Sequence, residues 1–384
     1  AVSRRNVDAP NYLITRSSRF TEHFNPWTQR EQLPRMSGGL LGEIAYGNGP
    51  RIIENLPNVL AEDDPAKFYL EGFQTLVALP QYDGGDALNH TILLLPPGEE
   101  LDYDMIPMLH WQGGLFGRGT QNLVLRNQLS EALGTLDREL QVVGAIQHSL
   151  LPRDLPSIPG VELAAHYRTS AWSGGDYYDF FPLHDGQWGI FIGDVAGHGA
   201  PAAVLMAITH AIAHAQPGSH TPPAALLGYL NERLTNAYTR DEGFVTGFYA
   251  VFHPKKRTLT YSRAGHNPPR LVRGDKVISL EETGSLPLGV LEEQSYGEAT
   301  VTLEPGDLLL FYTDGITEAA APSVDGSSGE MFGTARLDQL LLNCTASPEE
   351  CLTQIQNALA QFCANAPPTD DQTLIAMRCL PSLA

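Results

Sequence analysis

The sequence predicts an α+β fold, a layered sandwich of sheets and helices preceded by a smaller α/β domain and a helical linker. Three observations carry this. Strand-like segments follow one another across short turns such as HPKKRT (253–258) and RGDK (273–276), which implies antiparallel pairing, and the helical segments stand apart instead of alternating with single strands. At 384 residues the chain exceeds one ordinary domain. A stretch of helical periodicity lies between its two halves.

The first region, 1–121, is mixed and rich in Pro and Gly. It holds strand-like runs at FQTLVALPQY (73–82) and HTILLLPP (90–97), with YDGGDALN between them reading as a hairpin connection. Helical periodicity begins near Asp102 and strengthens over 122–151. There Leu129, Leu133, Leu136, Leu140, Val143 and Leu150 follow a 4-3-4-3 step, with Gln147 at the one polar core position. This a/d pattern predicts a helical pairing between two copies of the chain, against the simpler alternative of one amphipathic helix docked on its own domain. Leu151-Pro152, Pro156 and Pro159 end the helix.

From 152 to 384 strands are expected at VELAAHYR, WGIFIGDV, GFVTGFYAVFH, TLTYSRAG, PPRLVR, KVISLE, DLLLFYTD and TLIAMRCL. Helices are expected at APAAVLMAITHAIAHA, PPAALLGYLNERLTNAY and SPEECLTQIQNALAQFCANA.

Composition narrows the function. Hydrophobic content of 42% with 18% charged residues describes a globular chain. A net charge of −20 argues against nucleic acid and against anionic membrane surfaces, which attract Lys/Arg clusters. No run of about 18 apolar residues is present to span a membrane. Cys344, Cys351, Cys363 and Cys379 match no zinc spacing and read as reduced thiols of a cytoplasmic protein. The chain starts at Ala1 without Met, so an upstream segment is expected to have been removed.

The chemistry concentrates in GGDYYDF (174–180) and GDVAGHGAPAA (193–203), each of which is read as placing an aspartate, Asp176 or Asp194, at the end of a short apolar, strand-like run. Asp314 in LLLFYTDGITEA and Asp370 in DDQTLIAM occupy similar places downstream. Four carboxylates at strand ends among glycines suit a hard cation of the Mg²⁺ or Mn²⁺ type. Gly175, Gly193, Gly197, Gly199 and Gly315 let the backbone approach or turn sharply there. Asp185, Asp275 and Asp307 lie in ordinary turns and read as solvated. His210 and His214, four residues apart, share a helix face that would suit zinc, but no acidic third ligand falls in register on this Ala-rich helix.

These motifs carry a resemblance. AIQHSLLPRDLPSIPGVELAAHYRTSAWSGGDYYDFF, GDVAGHGAPAA, RAGHNPP, GSLPLGV, LLLFYTDGITEA and DDQTLIAM follow in the order seen in bacterial PPM-type (PP2C-like) serine/threonine phosphatases of the sporulation and stress-response (SpoIIE-like) branch. The resemblance covers about 145–380. It implies an α-β-β-α sandwich and a site of two Mn²⁺ or Mg²⁺ ions, with a third in some relatives when active. By it, Asp194 would bridge both ions and the Val195 carbonyl would serve one. Asp176 would hold the second ion, and Asp314 and Asp370 the first. Asp371 directly follows Asp370, so the choice between those two stays open. Eukaryotic members grip the substrate phosphate with an arginine, for which Arg168 is the candidate here. His198 and His266 sit at motif positions that suit turn-shaping hydrogen bonds, with a general-acid role as the alternative. Residues 70–145 resemble the later part of a GAF domain, which makes 1–121 a GAF-like sensor region. The resemblance further implies a phosphorylated STAS-type anti-sigma-factor antagonist as substrate.

The residues disfavour two other functions. GGDYY is superficially similar to the GGDEF hallmark of nucleotide cyclases, but Tyr177 stands where that site needs an acid. A catalytically silent interaction module of the same fold is disfavoured by intact aspartates at all four positions.

Overall fold

The computed structural model describes residues 1–22, 25–26, 29–83, 85–216, 222–237, 243–322, 329–344 and 347–381. The chain divides into two compact units, Ala1–Thr135 and Leu136–Ala384.

The first unit contains strands β1 (Val2–Ser3), β2 (Asn11–Ile14) and β3 (Arg35–Ser37), helix α1 (Gly39–Ala45), β4 (Arg51–Ile53), the short helices α2 (Leu56–Val59) and α3 (Lys67–Leu70), and the long strands β5 (Thr75–Asp83) and β6 (Asp86–Leu95). Six strands form one antiparallel sheet in the order β3-β2-β1-β6-β5-β4. The expected strand pair forms its longest ladder, with β5 and β6 paired down to Asp83 and Asp86 and a bulge at Gln81/Tyr82. Leu76 and Ala78 of β5 alternate onto the face that packs on α1 through Leu40, Leu41 and Ile44. A half-open cavity of about 840 Å³ lies in this unit, lined by Arg5, Phe20, Arg30, Tyr69 and His90 among others. Burial pushes the His90 imidazole down to about 4.

Helix α4 (Ile106–His148) starts sixteen residues before the expected 122 and ends three before 151. Its Leu129, Leu133 and Leu136 are exposed, whereas Gln147 near its end is only 3% exposed.

The second unit contains β7 (Val161–Arg168), β8 (Tyr177–Pro182), β9 (Trp188–Val195), α5 (Ala200–Ala215), α6 (Pro223–Ala237), β10 (Val245–His253), β11 (Thr258–Ala264), β12 (Arg270–Arg273), β13 (Lys276–Ser279), β14 (Ala299–Thr302), β15 (Leu308–Tyr312), α7 (Asp314–Thr317), α8 (Gly333–Leu342), α9 (Pro348–Phe362) and β16 (Gln372–Cys379). The strands build two five-stranded sheets, β14-β11-β10-β9-β8 and β13-β12-β15-β16-β7. The ladders are antiparallel, and the turns HPKKRT and RGDK close the β10–β11 and β12–β13 hairpins.

The sandwich layers can be followed along one strand. In β15, Leu309 and Phe311 join the core between the sheets with Phe248, Ile375 and Met377, while Leu308, Leu310 and Tyr312 face Leu337, Leu341, Ile355 and Leu359 of α8 and α9. All five positions are buried because both faces are covered, which explains the unbroken LLLFY run. Helices α5 and α6 cover the other sheet through residues such as Met206 and Leu230. The result is the expected α-β-β-α order. Strands β8 and β14 and helix α8 were not anticipated. The four cysteines are free thiols, three of them buried.

One turn residue departs from expectation. Asp307 is 4% exposed rather than solvated, because β12 lies beside β15 and brings the Arg273 guanidinium to within 2.6 Å of its carboxylate.

Candidate metal centre

The sheets bring four strand ends together. Asp194 is the penultimate residue of β9, in register with Thr246 of β10. Asp176 immediately precedes β8, so it leads its strand instead of following an apolar run. Asp314 opens α7 just past β15, and Asp370 lies two residues before β16. Strand β16 lies between β15 and β7, which places Asp370 and Asp314 in adjacent loops.

These carboxylates share one electrostatic site. Burial, followed by the charges of Asp176, Asp314, Asp370 and Asp371, pushes Asp194 up to about 10. Burial is also the main cause that lifts Asp176 to about 8, reinforced by Asp371 and Asp314 and opposed by threonine hydroxyls. Asp314 is raised to about 6, by burial and then by Asp370 and Glu318. Among the described residues none of the five aspartates forms an ion pair. Clustered carboxylates without a basic partner repel one another, and the repulsion is relieved only by protons or by bound cations.

Asp370 and Asp371 are spent differently. Asp371 is 2% exposed, and both its oxygens are occupied. Its Oδ1 accepts from the Ser170 amide at 2.8 Å and the Ser170 hydroxyl at 3.1 Å, and its Oδ2 accepts from the Gly175 amide at 2.6 Å. Asp370 accepts one hydrogen bond, from the Asp371 amide at 2.8 Å, which leaves its Oδ2 available.

The loop before β8 is held by a close fit. A Cβ on Gly175 would stand 2.8 Å from the Val195 carbonyl oxygen, and one on Gly315 would stand 2.0 Å from the Asp371 carbonyl oxygen. Only glycine permits these approaches. Three polar residues whose roles were not read from the sequence complete the support. The hydroxyls of Thr313 and Thr373, both fully buried, donate to Asp176 Oδ2 at 2.8 and 2.6 Å. Gln147 accepts from the Gly174 amide at 2.9 Å and donates to its carbonyl at 2.6 Å, so the end of α4 clasps the residue two before Asp176. Thr313 and Thr373 stand within three residues of Asp314 and Asp370 in the sequence, whereas Gln147 lies 27 residues before Gly174 and leaves no local signal of this contact.

The remaining candidates fall outside the cluster. Arg168 is exposed at the end of β7, paired in register with Gln372. His198 is exposed between two glycines of positive φ. His266 is 2% exposed, and its Nδ1 lies 2.8 Å from the Thr246 hydroxyl. Burial pushes it down to about 3, so at neutral pH it is an uncharged brace for the strand beside Asp194 and has no proton to give as an imidazolium.

The sequence pattern of the family described as Stage II sporulation protein E (SpoIIE) matches residues 184–380, just over half of the chain. The chain belongs to the SpoIIE family. The match includes Asp194, Asp314, Asp370 and Asp371 and begins after Asp176. Among curated relatives, Protein IcfG of Synechocystis sp. is 27% identical over 312 residues, covering 72% of this chain and 48% of its own length. Phosphoserine phosphatase RsbU of Bacillus subtilis is 30% identical over 182 residues, covering 47% of this chain and 53% of its own length. This SpoIIE-family chain thus spans about half the length of the curated relatives it matches. The solved SiaA-PP2C domain of Pseudomonas aeruginosa aligns with a TM-score of 0.57 at 23% identity, covering 64% of this chain and 98% of that one. The sandwich is therefore the PP2C phosphatase fold.

Proposed function

We propose that this SpoIIE-family chain is a metal-dependent protein serine/threonine phosphatase. The single observation that carries the proposal is the group of carboxylates around Asp194, two of them buried and three half-buried, with no ion pair to a basic side chain among the described residues. An all-oxygen donor set of this kind suits Mn²⁺ or Mg²⁺. Asp194 is assigned to both of two ions with the Val195 carbonyl on one of them, Asp176 to the second ion, and Asp314 with Asp370 to the first. The free Oδ2 of Asp370 favours it as a ligand over Asp371, whose oxygens hold the 170–175 loop. When bound, such ions polarise a phosphoryl oxygen and lower the pKa of a coordinated water. The chain's own contribution is orientation: Thr313 and Thr373 aim Asp176, and Gln147 and Asp371 fix the loop that carries it.

The likeness to RsbU, named a phosphoserine phosphatase, supports a phosphoserine or phosphothreonine substrate on a regulatory protein. A phosphorylated STAS-type anti-sigma-factor antagonist in a partner-switching pathway is the assigned class. The exposed Leu129, Leu133 and Leu136 support the 122–151 helix as a homodimer contact, with 1–121 as a GAF-like regulatory region whose cavity receives a small ligand. A cytoplasmic setting agrees with the free thiols and with the absence, among the described residues, of any helix long and apolar enough to cross a membrane.

Mn²⁺-dependent hydrolysis of an aryl phosphate and of a phosphoserine peptide tests the proposal, with Asp194→Asn as the control. Turnover by the wild type that disappears in Asp194→Asn supports it. Metal-loaded wild type without turnover makes the chain a silent interaction module, and an active Asp194→Asn protein refutes the two-ion assignment.

A further inference from the structure

A second cluster of metal-ligating side chains lies in the same unit and shares no residue with the aspartate centre. Helix α5 buries Ala202, Ala203, Met206, Thr209 and Ala213 against its sheet, and this stripe turns His210 and His214 toward β8. There they meet Asp179, the carboxylate that sequence spacing along the helix did not supply. One ligand atom from each of Asp179, His210 and His214 falls within 4.8 Å of the other two. The imidazole rings are 4.3 Å apart, and His214 Nε2 is 2.7 Å from Asp179 Oδ2.

The surroundings suit a cation with soft-to-borderline character. Asp179 is 7% exposed, and the buried Tyr177 hydroxyl donates to its Oδ2 at 2.7 Å while the Phe180 amide donates to its Oδ1 at 2.8 Å. Those bonds orient the carboxylate in the way that outer partners orient metal ligands. Burial and the neighbouring His214 push the His210 imidazole down, which favours the neutral, ligating form. Neither ring nitrogen of His210 makes a hydrogen bond among the described residues, and the His214 side chain is 47% exposed, which leaves an open side for water.

We infer that Asp179, His210 and His214 form a second metal site, with two nitrogen ligands and one oxygen ligand, that takes Zn²⁺ in preference to Mg²⁺ or Mn²⁺. Two imidazoles and a carboxylate with an open position form a donor set that zinc accepts, whereas the harder ions favour all-oxygen sites. Tetrahedral zinc with bonds of about 2.0–2.1 Å separates its ligand atoms by roughly 3.3 Å. Binding therefore replaces the His214–Asp179 hydrogen bond with a slightly wider pair, and half-exposed His214 has room to make that adjustment. The ion ties β8, which follows Asp176, to α5, which follows the Asp194 loop. It acts as a clip across the two segments that flank the aspartate centre.

The test is calorimetric titration of the full chain with Zn²⁺ in excess Mg²⁺, with Co²⁺ absorption as a report on coordination. Wild type is expected to bind one tight equivalent that Asp194→Asn retains and His210→Ala/His214→Ala loses. The loss should exceed the roughly 10–100-fold that follows removal of an outer partner. Zinc should raise the melting temperature of wild type but not of the double variant. His214→Gln, at a half-exposed position, supplies a folded single-residue control, with circular dichroism and Mg²⁺-dependent turnover as checks. Equal zinc binding with and without the two histidines overturns the inference, as does loss of the tight equivalent in Asp194→Asn alone. Absence of tight binding in wild type reduces the cluster to a His–Asp hydrogen bond.

Discussion

Around Asp194, carboxylates gather from four strand ends with no basic group to offset them, whereas Asp179, a few residues along the same strand region, is matched by a tyrosine hydroxyl, an amide and an imidazole. Both regions draw on β8, which Asp176 precedes and which contains Asp179. They differ in what the folded chain leaves unsatisfied. The first keeps its repulsion, so it has a standing demand for cations. The second is already coherent, so a metal there only substitutes for a hydrogen bond. Uncompensated charge marks the place where chemistry is expected, and compensated charge marks a place where structure is held.

The largest expected difference is in turnover. Asp194→Asn should reduce kcat by at least about 10³-fold, equivalent to roughly 4 kcal/mol, while the metal-free protein melts no lower than wild type because burial already holds the metal-free Asp194 carboxyl in its protonated form, which Asn matches in charge and shape. A marked drop in melting temperature would show that Asp194 is a structural residue and would erase the contrast. Next comes the clasp at the end of α4. Gln147→Ala leaves the buried Gly174 amide and carbonyl without partners and should cost roughly 2–3 kcal/mol, with kcat falling as the Asp176 loop loosens. Unchanged melting and kcat would uncouple the helix from the site.

The dependence on pH follows in size. Asp176 and Asp314 are raised from an ordinary 3.8 to about 8 and about 6, so the native state holds more protons than the unfolded chain across that window. Metal-free stability should therefore fall as pH rises from about 4 to about 8, by up to ~1.4 kcal/mol per pH unit for each group, and added Mn²⁺ should flatten the slope. A metal-free melting temperature that rises over this range would contradict the repulsion. At Asp179 a neutralising substitution should act differently from the one at Asp194. Asp179→Asn removes a satisfied acceptor and should destabilise by about 1 kcal/mol with Mg²⁺-dependent turnover retained, and a stabilised variant would make the two clusters alike. The smallest effect on the fold belongs to Leu136→Asn/Leu140→Asn, within about 0.5 kcal/mol for the monomer. Light scattering should show halved mass and an altered rate, and unchanged mass would make the helix a spacer.

Much of the fold was legible because its patterns are local. The LLLFY run, the i, i+4 apolar steps of α5 and α9 and the polar hairpin turns are set by neighbours in sequence, and each element was found near its place. Asp176, Asp194 and Asp314 stood out as candidates for a related reason: a carboxylate next to a glycine at a strand end is a rare local combination, whereas Asp370 has no glycine beside it and stood out by its place in the DDQTLIAM motif. Elements without such patterns, such as β14 with four residues, left too weak a signal.

By itself the sequence determined the layered class, the order of most elements of the second unit and the family resemblance, and it singled out four aspartates as candidates, since these depend on residue type and spacing along the chain. Only the tertiary structure decided which residues 34 to 201 positions apart share an atom's surroundings. Asp371 reaches Ser170, Asp307 meets Arg273 and His214 meets Asp179 through sheet order and helix packing. The physical reason is that a carboxylate's role is set by the donors and charges within hydrogen-bonding reach, and folding chooses those neighbours from distant parts of the chain.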